Sequence, residues 1–298
     1  MDIIISINKP KGITSQDAVT RVKKILKVKK AGHTGTLDPL ATGLLLVCVN
    51  RATRLATYFS GLDKQYRAVM KLGETTDSQD ACGSILEERD ITGITREGLE
   101  ETLRLFTGKI LQIPPMFSAL KHKGKTLYSY ARKGVEIERT PREVLIRELV
   151  LEDISLPFAV FRVVCSKGTY VRTLCHDIGA RLGTGAHLSG LERRAIGQFH
   201  LEESLSFDEL RAINEGEKIT KGVYSMDEAL SWMPEIKIRE SMVRAVIHGN
   251  PIGLSAMDVT DELRTSPGIR VTSPEGTLMA VGSYSPLNNE IKMDVVFS

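Results

Sequence analysis

One acid stands out among the 298 residues of the chain. The run Gly32-His33-Thr34-Gly35-Thr36-Leu37-Asp38-Pro39-Leu40-Ala41-Thr42-Gly43 packs glycines and hydroxyls around Asp38, directly before the apolar stretch Leu44 to Val49. Pro39 fixes its own φ and drives the preceding residue toward an extended conformation, so a stiff turn presents the Asp38 carboxylate. A carboxylate held beside a core can act as a nucleophile or a general base; an ordinary Asp-Pro turn or helix cap is the plainer alternative. A second segment, Lys167-Gly168-Thr169-Tyr170-Val171-Arg172, leads from a strand into a helix marked by Leu174, Ile178 and Leu182, with Gly183 beyond. Arg172 then falls in the first helical turn, at the positive end of the macrodipole, where a cation calls for an anionic partner. Asp38 is one candidate; water or another nearby Asp or Glu is the alternative.

Other chemistries find no anchor. Gly108-Lys109 is followed by Ile110 and lacks the upstream glycine of a phosphate loop, no G-x-G-x-x-G opens a helix, and no G-x-S-x-G elbow occurs. Cys48, Cys82, Cys165 and Cys175 form no C-x-x-C pair and read as structural. The six histidines are dispersed, and no H-x-E with a following P-C-x-x-C marks a zinc deaminase, so metal catalysis has no motif behind it.

Several elements must position the two segments. Met1-Asp2-Ile3-Ile4-Ile5-Ser6-Ile7 has no basic stretch ahead of its apolar residues and reads as a first strand, not a signal peptide. Thr14 with Asp17 three positions on, then Val19, Val22, Ile25 and Leu26, predict a capped amphipathic helix. Its outer side carries Arg21, Lys23, Lys24 and Lys27, either a solvated face or a phosphate contact. Near-alternation predicts strands over Tyr66 to Leu72 and Phe158 to Cys165. Leu99, Leu103 and Phe106, followed by Gly108, predict a helix ahead of Pro114-Pro115. From Pro115 to Arg142 the chain makes a basic excursion carrying Tyr128 and Tyr130. Between Lys121 and Arg147 eight Lys or Arg oppose three Glu, a net of +5 within a chain of +3, so the remainder sums to −2. So long an excursion is a functional lid or a disordered segment, and its concentrated charge interleaved with aromatics suits contact with RNA more than the overall charge does.

After Trp232-Met233-Pro234 the sequence turns to short β-like pieces broken by Gly249, Pro251, Gly268, Pro274, Gly276 and Gly282, with one helix around Ser241 to His248. Two domains are expected, 1–232 and 233–298. The composition, 42% hydrophobic and 26% charged, is that of an ordinary globular protein. No apolar run approaches the roughly 20 residues a membrane-crossing helix needs, and a cytoplasmic location is expected.

At this point the motifs converge. INKPKGITS at Ile7 to Ser15, GHTGTLDPLATGLLLV around Asp38, Asp63-Lys64-Gln65-Tyr66 with LGETTDSQDACG, PPMFSALKHKGKTLYSYARKG, GTYVRTLCHDIG and LSGLERRAIGQF together resemble the bacterial tRNA pseudouridine-55 synthases of the TruB type, over nearly all of residues 5–210. The resemblance implies an α+β fold: a mixed, largely antiparallel sheet, an RNA-contacting insertion at about 114–146, and a small C-terminal β-barrel of the PUA type. It implies that Asp38 is the essential carboxylate, adding to the nucleotide or taking a sugar proton, and that Arg172 keeps it ionised and oriented. It further implies that Tyr66 stacks on an extruded uridine with Tyr170 beside it, that Leu191 lines the pocket, that His33 fills or holds the disrupted loop, and that Lys64 belongs to the substrate site. Without that context each would more often be core. No cofactor is implied. The implied partner is the T-stem-loop of transfer RNA, with no obligatory protein partner and a monomeric chain. The His33 to Gly43 run and the long insertion are of bacterial character, unlike the guide-dependent archaeal and eukaryotic synthases. The rival expectations are an RNA-binding folding chaperone and a synthase acting on other RNA.

Overall fold

The computed structural model describes residues 1–215, 217, 221–254 and 260–297. A large mixed sheet dominates it, built from β1 (Ile3–Lys9), β2 (Thr42–Val49), β3 (Lys64–Leu72), β4 (Gly108–Gln112), β5 (Arg142–Ser155), β6 (Phe158–Cys165), β7 (Ala186–Ile196) and β8 (Val223–Ser225). Their spatial order is β8-β1-β2-β7-β3-β6-β5-β4, with short strands Ala31–His33 and Phe199–His200 paired to β2 and β7. Only β2 and β7 run parallel along this path; every other pair is antiparallel, as expected for the α+β fold.

The uninterrupted apolar run in β2 is explained by its place in the middle of this sheet. Leu44, Leu46 and Cys48 enter one cluster with Phe59 and Ile196, while Leu45, Val47 and Val49 enter another with Ile5, Ile7 and the helix α1 (Ser15–Leu26). A strand buried on both faces has no reason to alternate. In β6, by contrast, Ala159, Phe161, Val163 and Cys165 are buried and the residues between them half-open, so the predicted alternation is present. The helices α2 (Arg96–Leu105) and α3 (Val171–Leu182) close a third cluster, where Leu99, Leu103, Leu174 and Ile178 pack on Phe161 and Met70. The left-handed Gly108 (φ 97°) follows α2, then opens edge strand β4.

Between β4 and β5 lies the basic excursion. It holds a two-stranded hairpin, Lys121–His122 with Lys125–Thr126, and a short helix, Leu127–Ala131; Arg142 already belongs to β5. The C-terminal part forms a second, five-stranded sheet in the order Glu235–Lys237, Ile269–Thr272, Leu278–Ser285, Glu290–Val296, Ile252–Gly253. Among the described residues its first and last strands are not paired to each other, so the expected small barrel is a half-barrel. Leu278 and Val281 pack into the same cluster as Leu55 and Phe59, and Arg54 Nη1 donates to the Val296 carbonyl (2.6 Å). Helix Glu240–Ile247 matches the one expected there.

The parallel step between β2 and β7 depends on Gly43. Its φ is 101°, and a Cβ there would lie 2.4 Å from the Arg193 carbonyl oxygen and 2.8 Å from its amide nitrogen. Neither backbone atom can retreat, so Gly43→Ala combines left-handed strain with a clash. Urea unfolding should show this variant destabilised by about 2 kcal/mol or more; an unchanged midpoint would mean the strand crossing is looser than described.

Candidate active site

Three separate anchors hold the Asp38 turn. The turn itself closes when the Ala41 amide donates to the Asp38 carbonyl (3.0 Å), as Pro39 favours. One residue earlier, a single hydroxyl grips both sides of Leu37: Ser15 Oγ accepts from the Leu37 amide (2.8 Å) and donates to the Leu37 carbonyl (3.1 Å). Ser15 is in place because α1 starts there. Thr14 Oγ1 accepts from the Asp17 amide and Asp17 Oδ2 accepts from the Thr14 amide, each at 3.0 Å, the reciprocal capping box read from the sequence. Upstream, the fully buried Arg193 of β7 donates from Nε to the Leu44 carbonyl (2.7 Å), from Nη2 to Gly35 (3.1 Å) and from Nη1 to Thr36 (3.5 Å). One planar guanidinium therefore ties both ends of the loop to the sheet.

Arg172 sits in the first turn of α3, as predicted, and the anion it needs is Asp38. Nε lies 2.9 Å from Oδ2 and Nη2 donates to Oδ1 at 3.4 Å. The guanidinium side chain is 6% exposed and the carboxylate side chain 36%, so the cation is walled in while the acid faces open space. Arg172 is saturated by further partners: Nη2 donates to the Phe117 carbonyl (2.8 Å), Nη1 to the Ser78 carbonyl (3.2 Å), and Nη1 approaches Asp80 Oδ2 at 3.6 Å. Asp80 Oδ1 in turn accepts from Ser78 Oγ (2.7 Å) and the Cys82 amide (2.9 Å).

Asp38 faces a cavity of about 870 Å³, large enough for a nucleotide. Arg172, Lys64, Tyr66, Tyr170 and Leu191 line it too, together with Phe117 and Tyr128 from the excursion and Gln16 from α1. The residues singled out in sequence therefore meet, with one exception. His33 lies in the short strand paired to β2 and is not in the wall, although the next residue, Thr34, is. The Tyr170 backbone is held by the buried side chain of Gln112, which accepts from its amide (3.0 Å) and donates to its carbonyl (3.3 Å). Lys64 Nζ donates to the carbonyls of Ser60 (2.6 Å) and Leu62 (2.5 Å).

Burial sets the proton affinities in this wall. It raises the Asp38 carboxyl above the usual aspartate value; Arg172 opposes this, Asp80 adds to it, and Lys9 opposes it. The guanidinium thus limits the rise without cancelling it. Desolvation likewise brings both Lys9 and Lys64 down to about 8 and raises the Tyr66 and Tyr170 phenols. Lys9, fully buried, spends its donors on the Pro10 (3.0 Å) and Ile13 (2.9 Å) carbonyls. Among the cysteines, Cys48, Cys165 and Cys175 are buried as expected, but Cys82 is exposed, because its turn lies at the surface beside Asp80.

Sequence reasoning missed Lys9, Asp80, Gln112 and Arg193. Lys9, Ser15, Asp80 and Arg193 lay within quoted motifs, but the grip of Ser15 on Leu37 spans 22 residues and has no local signature. Arg193-Arg194 looks like surface charge, and only the sheet order reveals that one of the pair points inward.

This fold and cavity define a pseudouridylate synthase: residues 23–171 match the family model described as "TruB family pseudouridylate synthase (N terminal domain)", and residues 172–231 match the "tRNA pseudouridylate synthase B C-terminal domain". The tRNA pseudouridine synthase B of Burkholderia pseudomallei is 41% identical over 285 residues, spanning 96% of this chain and 94% of the relative. That of Pelotomaculum thermopropionicum is 40% identical, spanning 97% and 94%. Accordingly, the chain belongs to the TruB family. Among solved structures, the archaeal box H/ACA sRNP Nop10-Cbf5 complex has a chain similar at a TM-score of 0.73 and 25% identity, covering 99% of this chain and 86% of that one. A Cbf5-Nop10-Gar1 complex gives 0.73 and 26%, covering 99% and 84%.

Arg193→Lys tests the anchoring of the loop. An ammonium cannot bridge three carbonyls as the guanidinium fork does, so this buried replacement should cost about 1–3 kcal/mol in denaturant unfolding. Turnover should fall more than substrate affinity, since the variant disturbs where the carboxylate points. Wild-type stability and turnover would show that the Asp38 loop holds its place without Arg193.

Proposed function

We propose that this protein is a tRNA pseudouridine synthase that isomerises the uridine at position 55, in the T-loop, with Asp38 as the essential carboxylate. The observation that carries this reading is the Asp38–Arg172 pair, a buried cation fixing an acid whose free side opens onto a nucleotide-sized cavity. In the reaction the C1′–N1 bond breaks, the uracil turns, and C1′ joins C5. N1 gains a proton as C5 loses one, so no atom or electron is exchanged with an outside reagent and no cofactor is required. Asp38 serves by adding to the nucleotide or by taking a sugar proton, and either role needs the ionised form.

A uridine must leave its stack to reach this wall, and the enzyme must offset that loss with contacts of its own. Tyr66 supplies an aromatic face for the base, Tyr170 and Leu191 pack beside it, and Lys64 bounds the pocket near Tyr66. His33, outside the cavity wall, contacts the opened loop. The excursion contributes Phe117 and Tyr128 to the cavity and a carbonyl to Arg172, so its closure over RNA would complete the site. We place the catalytic domain in residues 1–232 and a PUA-like RNA-binding domain in 233–298. The chain acts as a monomer, with transfer RNA as its partner and without an obligatory protein partner. The long excursion and the 40–41% identity to the two tRNA pseudouridine synthase B chains support this over a guide-dependent assembly. Among the described residues no helix is long and apolar enough to cross a membrane, which is compatible with work in the cytoplasm.

Purified protein incubated with a bare T-stem-loop should convert its target uridine, and Asp38→Asn should abolish product while leaving RNA binding within about threefold, a change of under 1 kcal/mol. Product from Asp38→Asn would remove the carboxylate from the chemistry; binding with no product from the wild type would favour a folding chaperone. The pH dependence is a second check. Because burial holds the Asp38 carboxyl above 3.8, single-turnover rates should fall with decreasing pH through a value above 3.8, the protonated acid being inactive. A rate that stays flat down to 3.8 would contradict the assigned role.

A further inference from the structure

The basic excursion is not the densest positive stretch in the chain. Residues 21–30 contain Arg21, Lys23, Lys24, Lys27, Lys29 and Lys30 and no acid, a net of +6. Removing this +6 and the excursion's +5 from the chain total of +3 leaves −8 for everything else. An RNA approaching this molecule meets attraction in two places and repulsion elsewhere.

Resting on the reading of the protein as an RNA-modifying enzyme, we infer that the outer face of α1 and the turn after it, from Lys23 to Lys30, docks the phosphate backbone of the RNA stem whose loop enters the cavity. Geometry supplies the connection. Gln16 lines the cavity, and Gln16, Thr20, Lys23 and Lys27 follow one another at spacings of four, three and four along one face of α1. This row runs about 16 Å from the cavity wall to the helix end. Lys29 and Lys30 follow in the turn after the helix, and both are exposed, as are Lys24 and Lys27. The excursion, through Phe117 and Tyr128, lines the cavity too, so the two positive segments border one site.

A solvated helix face is the ordinary explanation of such a run, and the helix dipole accounts for Lys23 and Lys24 in the last turn. It does not account for Lys29 and Lys30, which lie outside the helix. Several surface cations elsewhere are paired, as in Arg67 with Glu152, Arg96 with Glu100 and Arg162 with Glu148. Among the described residues Lys23, Lys24, Lys27, Lys29 and Lys30 have no carboxylate partner. Five cations without a carboxylate partner, clustered at the far end of a helix that begins in the cavity wall, fit a polyanion that occupies them only when substrate is bound.

The test is the salt dependence of stem-loop binding by the full chain carrying Lys23→Gln, Lys27→Gln and Lys30→Gln together. Losing three phosphate contacts should weaken binding at least tenfold near physiological salt. It should also flatten the slope of log K against log salt by about 2 to 3, with turnover at saturating RNA unchanged. A control with the same charge change on α2 and α3, Arg96→Gln with Arg104→Gln and Arg181→Gln, should leave the slope within about half a unit of the wild type. Lys29→Gln with Lys30→Gln, beyond the end of α1, repeats the test without touching the helix and should flatten the slope by about 1 to 2. Slopes equal to the control in both lysine variants would overturn the docking surface. A flattened slope in a protein that makes no pseudouridine would keep the surface and sink the catalytic reading instead.

Discussion

Everything in the cavity wall depends on one buried guanidinium. Arg172 has little contact with water, so its charge must be answered by the protein, and it is answered by Asp38, Asp80 and two carbonyls. Of the two carboxylates, Asp38 is the one that lines the cavity. Breaking such an arrangement by removing one partner leaves an uncompensated charge in a poorly hydrated place, which is far more costly than any single surface ion pair is worth. The pair is therefore a constraint on the whole fold: α3 must begin where it does, and the loop between the short strand Ala31–His33 and β2 must bring Asp38 to meet it.

The sheet order satisfies that constraint. Crossing β2 against β7 in parallel places Thr42 and Gly43 beside Glu192 and Arg193, and Arg193 then fastens the loop that precedes β2. Ser15 fastens the same loop from α1, and Gln112 fastens the Tyr170 backbone from edge strand β4. Three elements distant in sequence thus converge on two short segments. Rigid supports of this kind hold a reacting group in place before substrate arrives, which is where much of the advantage of a positioned acid lies. The raised proton affinity of Asp38 is the accompanying cost, set by the same burial that strengthens its pairing.

Much of this was legible in the chain, for identifiable reasons. The capping box of α1, the alternation in β6 and the placement of Arg172 in a first helical turn are local patterns, and local patterns survive reading one residue at a time. The carboxylate and its partner were legible only as candidates until the motifs were taken together. What stayed hidden was long-range. That Arg193 points inward, that Asp80 shares the guanidinium, and that Gln112 closes on Tyr170 all follow from strand order, which periodicity does not encode. His33 illustrates the reverse: it sits in the most conspicuous motif of the chain, yet its strand pairing to β2 holds it outside the cavity wall.

The acid and the guanidinium work as one unit, and a double-mutant cycle on single-turnover pseudouridine formation measures that directly. If they act together, Asp38→Asn, Arg172→Met and the double variant should all lose about the same factor of rate, because removing either disables the other. Losses that multiply, each independent of the other residue, would show that the two side chains touch without working together, and the central claim would fail.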